Sequence, residues 1–272
     1  MILKLLSYNI RFGGIGREAR IAEVIRRVSP DLVVFQEATE PRVIEGLADA
    51  VEYPLWAAKP AHSIAFLSRV AIAHHEWHYS PGSKHSFLEI ALAGSPTRIF
   101  GLHLSAMFSK WSEQRRAREI RQLLQGIQKY QEGFHVLVGD FNTLAPGEVL
   151  NIHQMPTWIR VMIWVSGRDI QRETIQVMLK ANYLDGFRTL YPEDKGYTFP
   201  TADPHLRLDY IFVPAQYAKH LLRCEVIREP PSVALASDHF PLSAELELPT
   251  IEQPAISDFQ APDTAFFHRT NL

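Results

Sequence analysis

The feature that most constrains the fold of this chain is a junction in which a short apolar run ends in polar side chains. The clearest case lies at 135–143, where an aliphatic run stops at Gly139 and is followed by Asp140 and Asn142. Continuous apolar runs of this length are typical of strands buried on both faces. Strand ends hold polar groups rigidly and leave them accessible, as catalysis requires. Taken alone, the same residues would equally form a local Asx turn.

The same type of junction occurs six times along the chain. Six such junctions in one chain indicate a functional site far more specifically than any single one does. Each copy places a carboxylate, a carboxamide or an imidazole beside an apolar strand. The polar residues concerned are Asn9, Glu37, His103, Asp140, Asn142, Asp209, Asp238 and His239. Their repetition predicts a single site assembled from strand ends.

Hydrophobic periodicity predicts that helices and strands separate these junctions. Apolar residues at helical spacing predict helices over 17–28, 41–51 and 110–131. Four successive strand candidates predict an antiparallel meander at 63–69, 71–79, 87–93 and 97–104. Two later strands are predicted at 206–214 and 224–229. The alternation is that of a protein with both helices and sheets.

The length of 272 residues allows one large domain or two small ones. No internal repeat or earlier boundary interrupts the motifs, so we expect one catalytic domain over residues 1–248. Within it, 144–185 is predicted to be a helical excursion near the site. Residues 249–272 contain prolines and no periodicity, which indicates an extended tail.

Charge and cysteine content exclude some classes of protein. The net charge of −2 gives no support to a protein that grips many phosphates of a nucleic acid. The single cysteine, Cys224, excludes an internal disulfide framework and a cysteine-rich metal site, and is expected to be a small core or edge residue. No run approaches the roughly 18 apolar residues of a membrane-spanning helix, and the first strand is too short for a signal peptide. We therefore expect a cytoplasmic protein.

Three weaker patterns leave alternatives. The glycine-rich loop at 11–16 invites a dinucleotide-binding interpretation, but the full G-x-G-x-x-G pattern is absent. Arg115, Arg118 and Arg121 share one side of a predicted helix and form either a phosphate-binding surface or, as is more usual, a solvated face. The histidines within 74–78 lie in a strand-like run and are expected to be surface residues.

Six ordered motifs resemble those of the endonuclease/exonuclease/phosphatase superfamily, the DNase I-like metal-dependent phosphoesterases. The motifs are Leu6–Asn9, Phe35–Glu37, Gly101–His103, Gly139–Asn142, Arg207–Ile211 and Ser237–His239. They follow the family's order over almost all of residues 2–248. The resemblance implies an α/β (α+β) fold, a four-layered α/β/β/α sandwich in which two mixed sheets pack face to face with helices outside.

The resemblance also implies a bound divalent cation, Mg²⁺ or Mn²⁺. Glu37 is the leading ligand, and by similarity Asn9 and Asp238 assist it directly or through water. Hard oxygen ligands suit these ions, which need only one or two carboxylates. Zinc is less expected, because the histidines do not fall in ligand spacing with cysteines.

By the same resemblance, five residues carry the chemistry. Asp140 orients or deprotonates the attacking water, and Asn142 holds a phosphate oxygen or the base. His239 donates to the scissile phosphate as negative charge develops there, and Asp209 orients that ring. His103 stabilises or protonates the leaving oxygen.

The expected function is metal-dependent hydrolysis of a phosphate ester, by a phosphodiesterase or phosphatase that acts on a small-molecule or lipid-like substrate. The alternative is a DNA endonuclease or exonuclease of the abasic-site or DNase type, which the near-neutral charge disfavours. A non-catalytic binding module is a third and weaker alternative, since no catalytic position has been replaced. The loops 105–112 and 144–185 are expected to decide the substrate, and the sequence carries no indication of oligomeric state.

Overall fold

The fold is described from a computed structural model, which defines residues 1–79, 86–106, 109–148 and 172–249, together with 157, 160, 161 and 164. Two mixed six-stranded sheets stack face to face, and helices cover their outer faces. The predicted four-layered α/β/β/α sandwich is thus confirmed.

The first sheet has the strand order β11-β12-β1-β2-β4-β3. Its strands are β1 (Ile2–Asn9), β2 (Leu32–Gln36), β3 (Leu55–Ala57), β4 (Ala65–Ser68), β11 (Leu221–Val226) and β12 (Leu242–Glu247). Only β1 and β2 pair in parallel. A parallel pair needs a crossover connection, which helix α1 (Glu18–Val28) supplies.

The second sheet has the order β5-β6-β7-β8-β10-β9. Its strands are β5 (Ile72–Tyr79), β6 (Ser86–Leu92), β7 (Arg98–His103), β8 (His135–Asp140), β9 (Tyr183–Asp185) and β10 (Asp209–Pro214). Here β7 and β8 form the parallel pair, joined through helix α3 (Lys110–Gly126). The two sheets therefore repeat one arrangement, a central parallel pair flanked by antiparallel strands.

The remaining helices complete the outer layers. They are α2 (Pro41–Val51), α4 (Glu173–Lys180), α5 (Gly186–Leu190) and α6 (Val233–Ala236). Helices α1, α2 and α6 bury apolar residues against the first sheet, whereas α3 and α4 cover the second. Local signals set two helix starts: Pro41 occupies the first turn of α2, and the Ser109 side chain accepts a hydrogen bond from the Ser112 N–H before α3.

Strand β2 illustrates why the central strands are apolar at every position. Val34 faces the core between the two sheets, whereas Val33 and Phe35 face the helices, and all three are fully buried. Successive side chains of a strand point to opposite faces, so a strand covered on both sides needs no polar alternation. Burying each such side chain contributes about 1.5–3 kcal/mol. Cys224 is also fully buried in β11, as expected.

The predicted meander was wrong in one respect. Strands β5, β6 and β7 do form an antiparallel meander, but the first candidate, 63–69, forms β4 of the other sheet. The chain changes sheets between Ser68 and Ile72. Strand β4 is buried throughout and β5 is largely exposed, but neither pattern specifies which sheet a strand joins.

Several element boundaries also differ from the predictions, and the strand predicted over 224–229 lies at Leu221–Val226. The strand predicted over 206–214 begins only at Asp209, because Leu206 makes an isolated bridge to Phe199. The helix predicted over 110–131 ends at Gly126 and gives way to a 3-10 turn, Gln128–Tyr130.

Several expectations fall on the parts of the chain that the structure does not describe. The tail expected at 249–272 lies outside the described residues except for residue 249, as do nearly half of the residues in the excursion predicted at 144–185. None of the helices in the described ranges is long and apolar enough to cross a membrane.

Candidate active site

The predicted site residues are brought to one edge of the sandwich by the strand register. Asp140, the last residue of β8, pairs with His103 at the end of parallel β7 and with Asp209 at the start of antiparallel β10. In the facing sheet, Asn9 ends β1 and Glu37 directly follows β2. Parallel strands that end together, and an antiparallel strand that begins there, deliver their side chains to the same edge.

The carboxylate of Asp140 is the point at which these side chains meet. Its Oδ2 accepts hydrogen bonds from Nδ2 of Asn9 at 3.0 Å and from Nδ2 of Asn142 at 3.1 Å. The Nε2 atoms of His103 and His239 lie 3.8 and 3.9 Å from the same oxygen. Asp140 is 1% exposed. Residues from four separate segments thus surround one buried oxygen.

The backbone around Asp140 explains why glycine precedes it. Gly139 has φ +147°, and a Cβ there would lie 1.9 Å from the Leu102 carbonyl oxygen, a distance no side chain tolerates. Beyond the strand, Asp140 Oδ1 accepts the N–H of Asn142, and Asn142 Nδ2 also donates to the Leu104 carbonyl. The Asx turn and the site were alternatives in the sequence. In the structure both form, since the turn aims Asn142 at the site.

His239 is held by Asp209. Its Nδ1 lies 2.9 Å from Oδ2 of Asp209, both residues are buried, and the imidazole ring packs against Phe199. The Nδ1–H therefore donates to the carboxylate and leaves Nε2 facing Asp140. This is the contact that the sequence analysis expected between the two residues.

Burial and charge set the protonation of this pair. Burial raises the pKa of the Asp140 carboxyl to about 7, with neighbouring Asp209 adding to the rise and His239 opposing it. Burial alone would lower the pKa of His239, but Asp209 and Asp140 raise it more, to about 10. His239 is therefore an imidazolium at neutral pH, a cation placed beside a carboxylate that accepts a proton readily.

On the other side of the site, a left-handed turn at residues 11–14 encloses Glu37. Four consecutive residues of this turn have φ between +47° and +74°. Its backbone donates from Phe12 N–H to Glu37 Oε2 at 2.7 Å and from Gly13 N–H to the Glu37 carbonyl at 2.8 Å. Glu37 Oε1 accepts from Nδ2 of Asn9 at 3.3 Å. The glycine-rich loop, which had suggested a nucleotide site, instead positions the expected metal ligand.

Asp238 lies against the same turn. Its Oδ2 is 3.3 Å from Nε of Arg11, and the neighbouring Ser237 hydroxyl donates to the Asn9 carbonyl at 2.7 Å. The sequence analysis assigned no role to Arg11. A signal was present, namely a basic residue two positions after a strand-end asparagine, but nothing in the sequence connects it with Asp238.

The side chains present fit a hard divalent cation. Within the part of the chain that the structure describes, Asp140, Asp209 and His239 form the one group of His, Cys or acidic residues whose ligand atoms lie within 4.8 Å of each other. Asp209 and His239 bond to each other, however, and an imidazolium repels a cation. The oxygen-rich side is that of Glu37, whose carboxylate shares the amide of Asn9 with Asp140. Two carboxylates beside one amide are a donor set that suits Mg²⁺ or Mn²⁺.

Arg207, in the fifth motif, anchors the start of β10. It is 1% exposed, and its Nη2 lies 2.6 Å from Glu148 Oε1 and 2.7 Å from Asp185 Oδ2. Its guanidinium stacks 4.4 Å from the centre of the Tyr210 ring. Arg207 thereby holds in place the segment that carries Asp209. The sequence pattern did not predict this role for Arg207.

Two of the three α3 arginines that were candidates for phosphate binding form ion pairs. Arg115 pairs with Glu119 and Arg121 pairs with Glu173, while Arg118 is exposed. Most of this positive charge is neutralised within the helical layer, which favours the solvated-face interpretation.

Comparisons with known proteins agree with this geometry. A sequence profile described as "Endonuclease/Exonuclease/phosphatase family" matches residues 6–239. No curated protein matches the sequence. Among solved structures, an AP endonuclease from Archaeoglobus fulgidus aligns with a TM-score of 0.69 at 18% identity, covering 90% of this chain and 99% of the other.

Two further solved structures have the same fold. A 3′ phosphatase from Neisseria, bound to a product DNA hairpin, aligns with a TM-score of 0.67 at 18% identity and covers 90% of this chain and 99% of its own. A humanized TDP2 from D. rerio aligns with a TM-score of 0.63 at 19% identity, covering 90% and 98%. At such identities the likeness establishes the fold alone.

Proposed function

The chain belongs to the Endonuclease/Exonuclease/phosphatase family and is a phosphoester hydrolase, and from this premise we propose that it uses Mg²⁺ or Mn²⁺ to hydrolyse a small or lipid-like phosphate ester. The observation that carries the proposal is the convergence of Asn9, Asn142, His103 and His239 on the buried Asp140 carboxylate. A group of this composition has the bases and cations that water attack on a phosphodiester requires.

In this proposal the buried residues handle the protons. Asp140 accepts the proton of the attacking water, a role that suits a carboxyl whose pKa burial raises to about 7. Asn142 holds that carboxylate or a phosphate oxygen. His239, kept as an imidazolium by Asp209, donates to a non-bridging oxygen of the scissile phosphate. His103, whose Nε2 lies 3.8 Å from Asp140 Oδ2, donates to the leaving oxygen.

Glu37 is the proposed carboxylate ligand of the cation, assisted by Asn9 and Asp238 directly or through water. The cation, when bound, neutralises phosphate charge and lowers the pKa of a coordinated water. The chain's own contribution is to fix the ligands: the turn at 11–14 donates to Oε2 and to the backbone carbonyl of Glu37, and Ser237 ties Asp238 to the end of β1.

Two exposed aromatic residues support an apolar or lipid-like substrate. Phe12, 74% exposed, belongs to the turn that contacts Glu37, and Trp111, 83% exposed, lies in the first turn of α3, which follows the His103 segment. The guanidinium of Arg11 lies 5.3 Å from the centre of the Phe12 ring. An apolar surface beside an arginine suits an ester that carries both a phosphate and a hydrophobic group.

A nucleic-acid substrate is the second candidate. Exposed aromatic residues also stack on unpaired bases, and the solved structures of the same fold include an AP endonuclease and a 3′ phosphatase bound to DNA. Against it stand the net charge of −2 and the ion-paired arginines of α3.

Hydrolysis of bis-p-nitrophenyl phosphate, measured with Mg²⁺, with Mn²⁺ and with EDTA, tests the reaction. We expect turnover with either ion and its loss in EDTA. Turnover that persists after complete chelation would refute the metal-dependent reaction, and no turnover of any phosphate ester would leave the third alternative, a binding module.

A matched pair of substrates tests the class. Release of phosphocholine from sphingomyelin in detergent is compared with nicking of an abasic-site plasmid, for the wild type and for Phe12→Ala. We expect the first reaction to dominate and its KM to rise about ten-fold in the variant, because an exposed aromatic contact contributes roughly 1–2 kcal/mol. Preferential nicking of the plasmid would transfer the assignment to nucleic acid.

A further inference from the structure

A buried ion pair in α3 connects the two segments that carry catalytic side chains. Arg116 and Glu113, one turn apart, each have a side chain only 2% exposed. The Nη2 and Nε atoms of Arg116 lie 2.8 and 3.2 Å from Glu113 Oε2. Charged groups are seldom buried this completely on a helix whose neighbouring arginines face solvent.

The pair bonds to backbone and side chains of both strand-end segments. Arg116 Nη1 donates to the carbonyl of Ser105 at 2.7 Å, two residues beyond His103. Glu113 Oε2 accepts the hydroxyl of Thr143 at 2.8 Å, one residue beyond Asn142. One ion pair therefore fixes the residues that follow two of the proposed catalytic groups.

Glu113 also fixes the start of the next helix. Its Oε1 accepts the N–H of Thr174, in the first turn of α4, at 2.7 Å. The two segments that the ion pair holds are in turn joined directly, because Asn142 Nδ2 donates to the Leu104 carbonyl. His103 and Asn142 thus stand on a single hydrogen-bonded frame whose centre lies in α3.

A buried ion pair adds little to stability, since desolvation offsets most of the attraction between its charges. What it supplies is geometry: a guanidinium and a carboxylate bond only in fixed directions. We propose that Glu113 and Arg116 are positioning residues, which set the distance of His103 and Asn142 from Asp140 without touching substrate. This inference rests on the proposed function, because it assigns the pair to the same reaction.

The sharpest test removes one bond while keeping the shape of the side chain. Thr143→Val deletes the hydroxyl that Glu113 accepts, and Thr143→Ser retains it. With bis-p-nitrophenyl phosphate and saturating Mg²⁺, we expect Thr143→Val to lower kcat about 10-fold with KM nearly unchanged, and Thr143→Ser to recover most of the rate, because small displacements of catalytic groups cost rate.

Arg116→Lys tests the other end of the pair. Lysine keeps the charge but cannot contact Glu113 and the Ser105 carbonyl in the same geometry, so we expect kcat to fall by about 10- to 100-fold. The matched control is Arg115→Gln, which removes the neighbouring Arg115–Glu119 ion pair on the partly exposed side of the same helix. The control should keep the wild-type kcat.

Amide hydrogen exchange separates this inference from the proposed function, because it needs no activity. We expect faster exchange in peptides covering 102–106 and 140–145 for Thr143→Val and Arg116→Lys, and wild-type exchange for Thr143→Ser and Arg115→Gln. Unchanged exchange in both peptides, or a loss of rate in Arg115→Gln equal to that in Arg116→Lys, would overturn the positioning role. An inactive wild type with the expected exchange pattern would instead refute the proposed function.

Discussion

The two sheets contribute halves of the site that are built in different ways. In the half from the first sheet, Glu37 and Asp238 are partly exposed, and backbone N–H groups and an arginine hold them. In the half from the second sheet, Asp140 and Asp209 are almost fully buried, and side chains hold them. The two halves meet at Asn9, whose amide bonds to both Glu37 and Asp140.

This difference in burial agrees with the separate tasks proposed for the two halves of the site, metal binding and proton transfer. A Mg²⁺ ion keeps several of its waters, so its ligands can stay open to solvent and need mainly a fixed direction. Proton transfer is controlled by pKa values, which burial and close charges shift strongly. We therefore expect substitutions in the buried half to remove turnover, and substitutions in the open half to change the metal requirement.

The largest expected effect comes from the buried half. Asp140→Asn and His239→Ala should each lower kcat by about 10³-fold or more at saturating Mg²⁺, because each removes a group that acts in the transition state. Steady-state rates with bis-p-nitrophenyl phosphate measure this, and circular dichroism checks that the fold is intact. Retained turnover with full metal dependence in both variants would contradict the assigned roles.

Glu37→Gln should have a smaller effect of a different kind. Loss of the carboxylate should raise the Mg²⁺ concentration needed for half-maximal activity by about 10- to 100-fold, with part of kcat recovered at high Mg²⁺. A Mg²⁺ titration of activity measures it, with exposed Glu45→Gln on α2 as the control. A lower kcat at an unchanged Mg²⁺ requirement would place Glu37 among the groups that act on protons.

Gly13→Ala should act on the metal half through the backbone. Gly13 has φ +71°, and a Cβ there would lie 2.6 Å from Cγ of Glu40, so the turn that holds Glu37 must shift. We expect a several-fold higher Mg²⁺ requirement and a loss of about 1–2 kcal/mol in unfolding free energy. Gly16→Ala is the matched control: its φ is +73°, but a Cβ there meets nothing within 4 Å. Equal Mg²⁺ requirements in the two variants would show that the turn at 11–14 does not hold Glu37 in position for metal binding.

The last expected effect is on the stability of the fold without metal and leaves turnover aside. Burial raises the pKa of the Asp140 carboxyl from its ordinary range to about 7, so the folded protein loses stability as pH rises between about 4 and 7 and this carboxyl ionises. In EDTA, Asp140→Asn should therefore be more stable than the wild type at pH 8, by about 1–3 kcal/mol, and nearly equal to it at pH 4. Urea unfolding at the two pH values measures the difference. If Asp140→Asn were less stable than the wild type at pH 8, the ionised Asp140 carboxylate would stabilise the fold instead of destabilising it.

Much of the site could be predicted, because its residues lie at strand ends and strand ends are visible as apolar runs that stop. The turn at 11–14 could not, since nothing local to Phe12 or Gly13 indicates that their N–H groups bond to Glu37, which lies more than twenty positions later. The Glu113–Arg116 pair resembled other charges on a polar helix, and only packing shows that it is buried. The sheet that β4 joins could not be predicted either, because strand periodicity does not specify the pairing partner of a strand.

The sequence alone determined most of the strands, the order of the motifs, and the chemical types of group available to the site, because periodicity and side-chain chemistry are local properties. Only the tertiary structure decided which groups touch. The protonation of His239, the enclosure of Glu37 by a left-handed turn and the frame centred on Glu113 all depend on distances between residues far apart in the chain. Electrostatic and hydrogen-bond energies depend steeply on such distances, and the sequence does not contain them until the two sheets have packed.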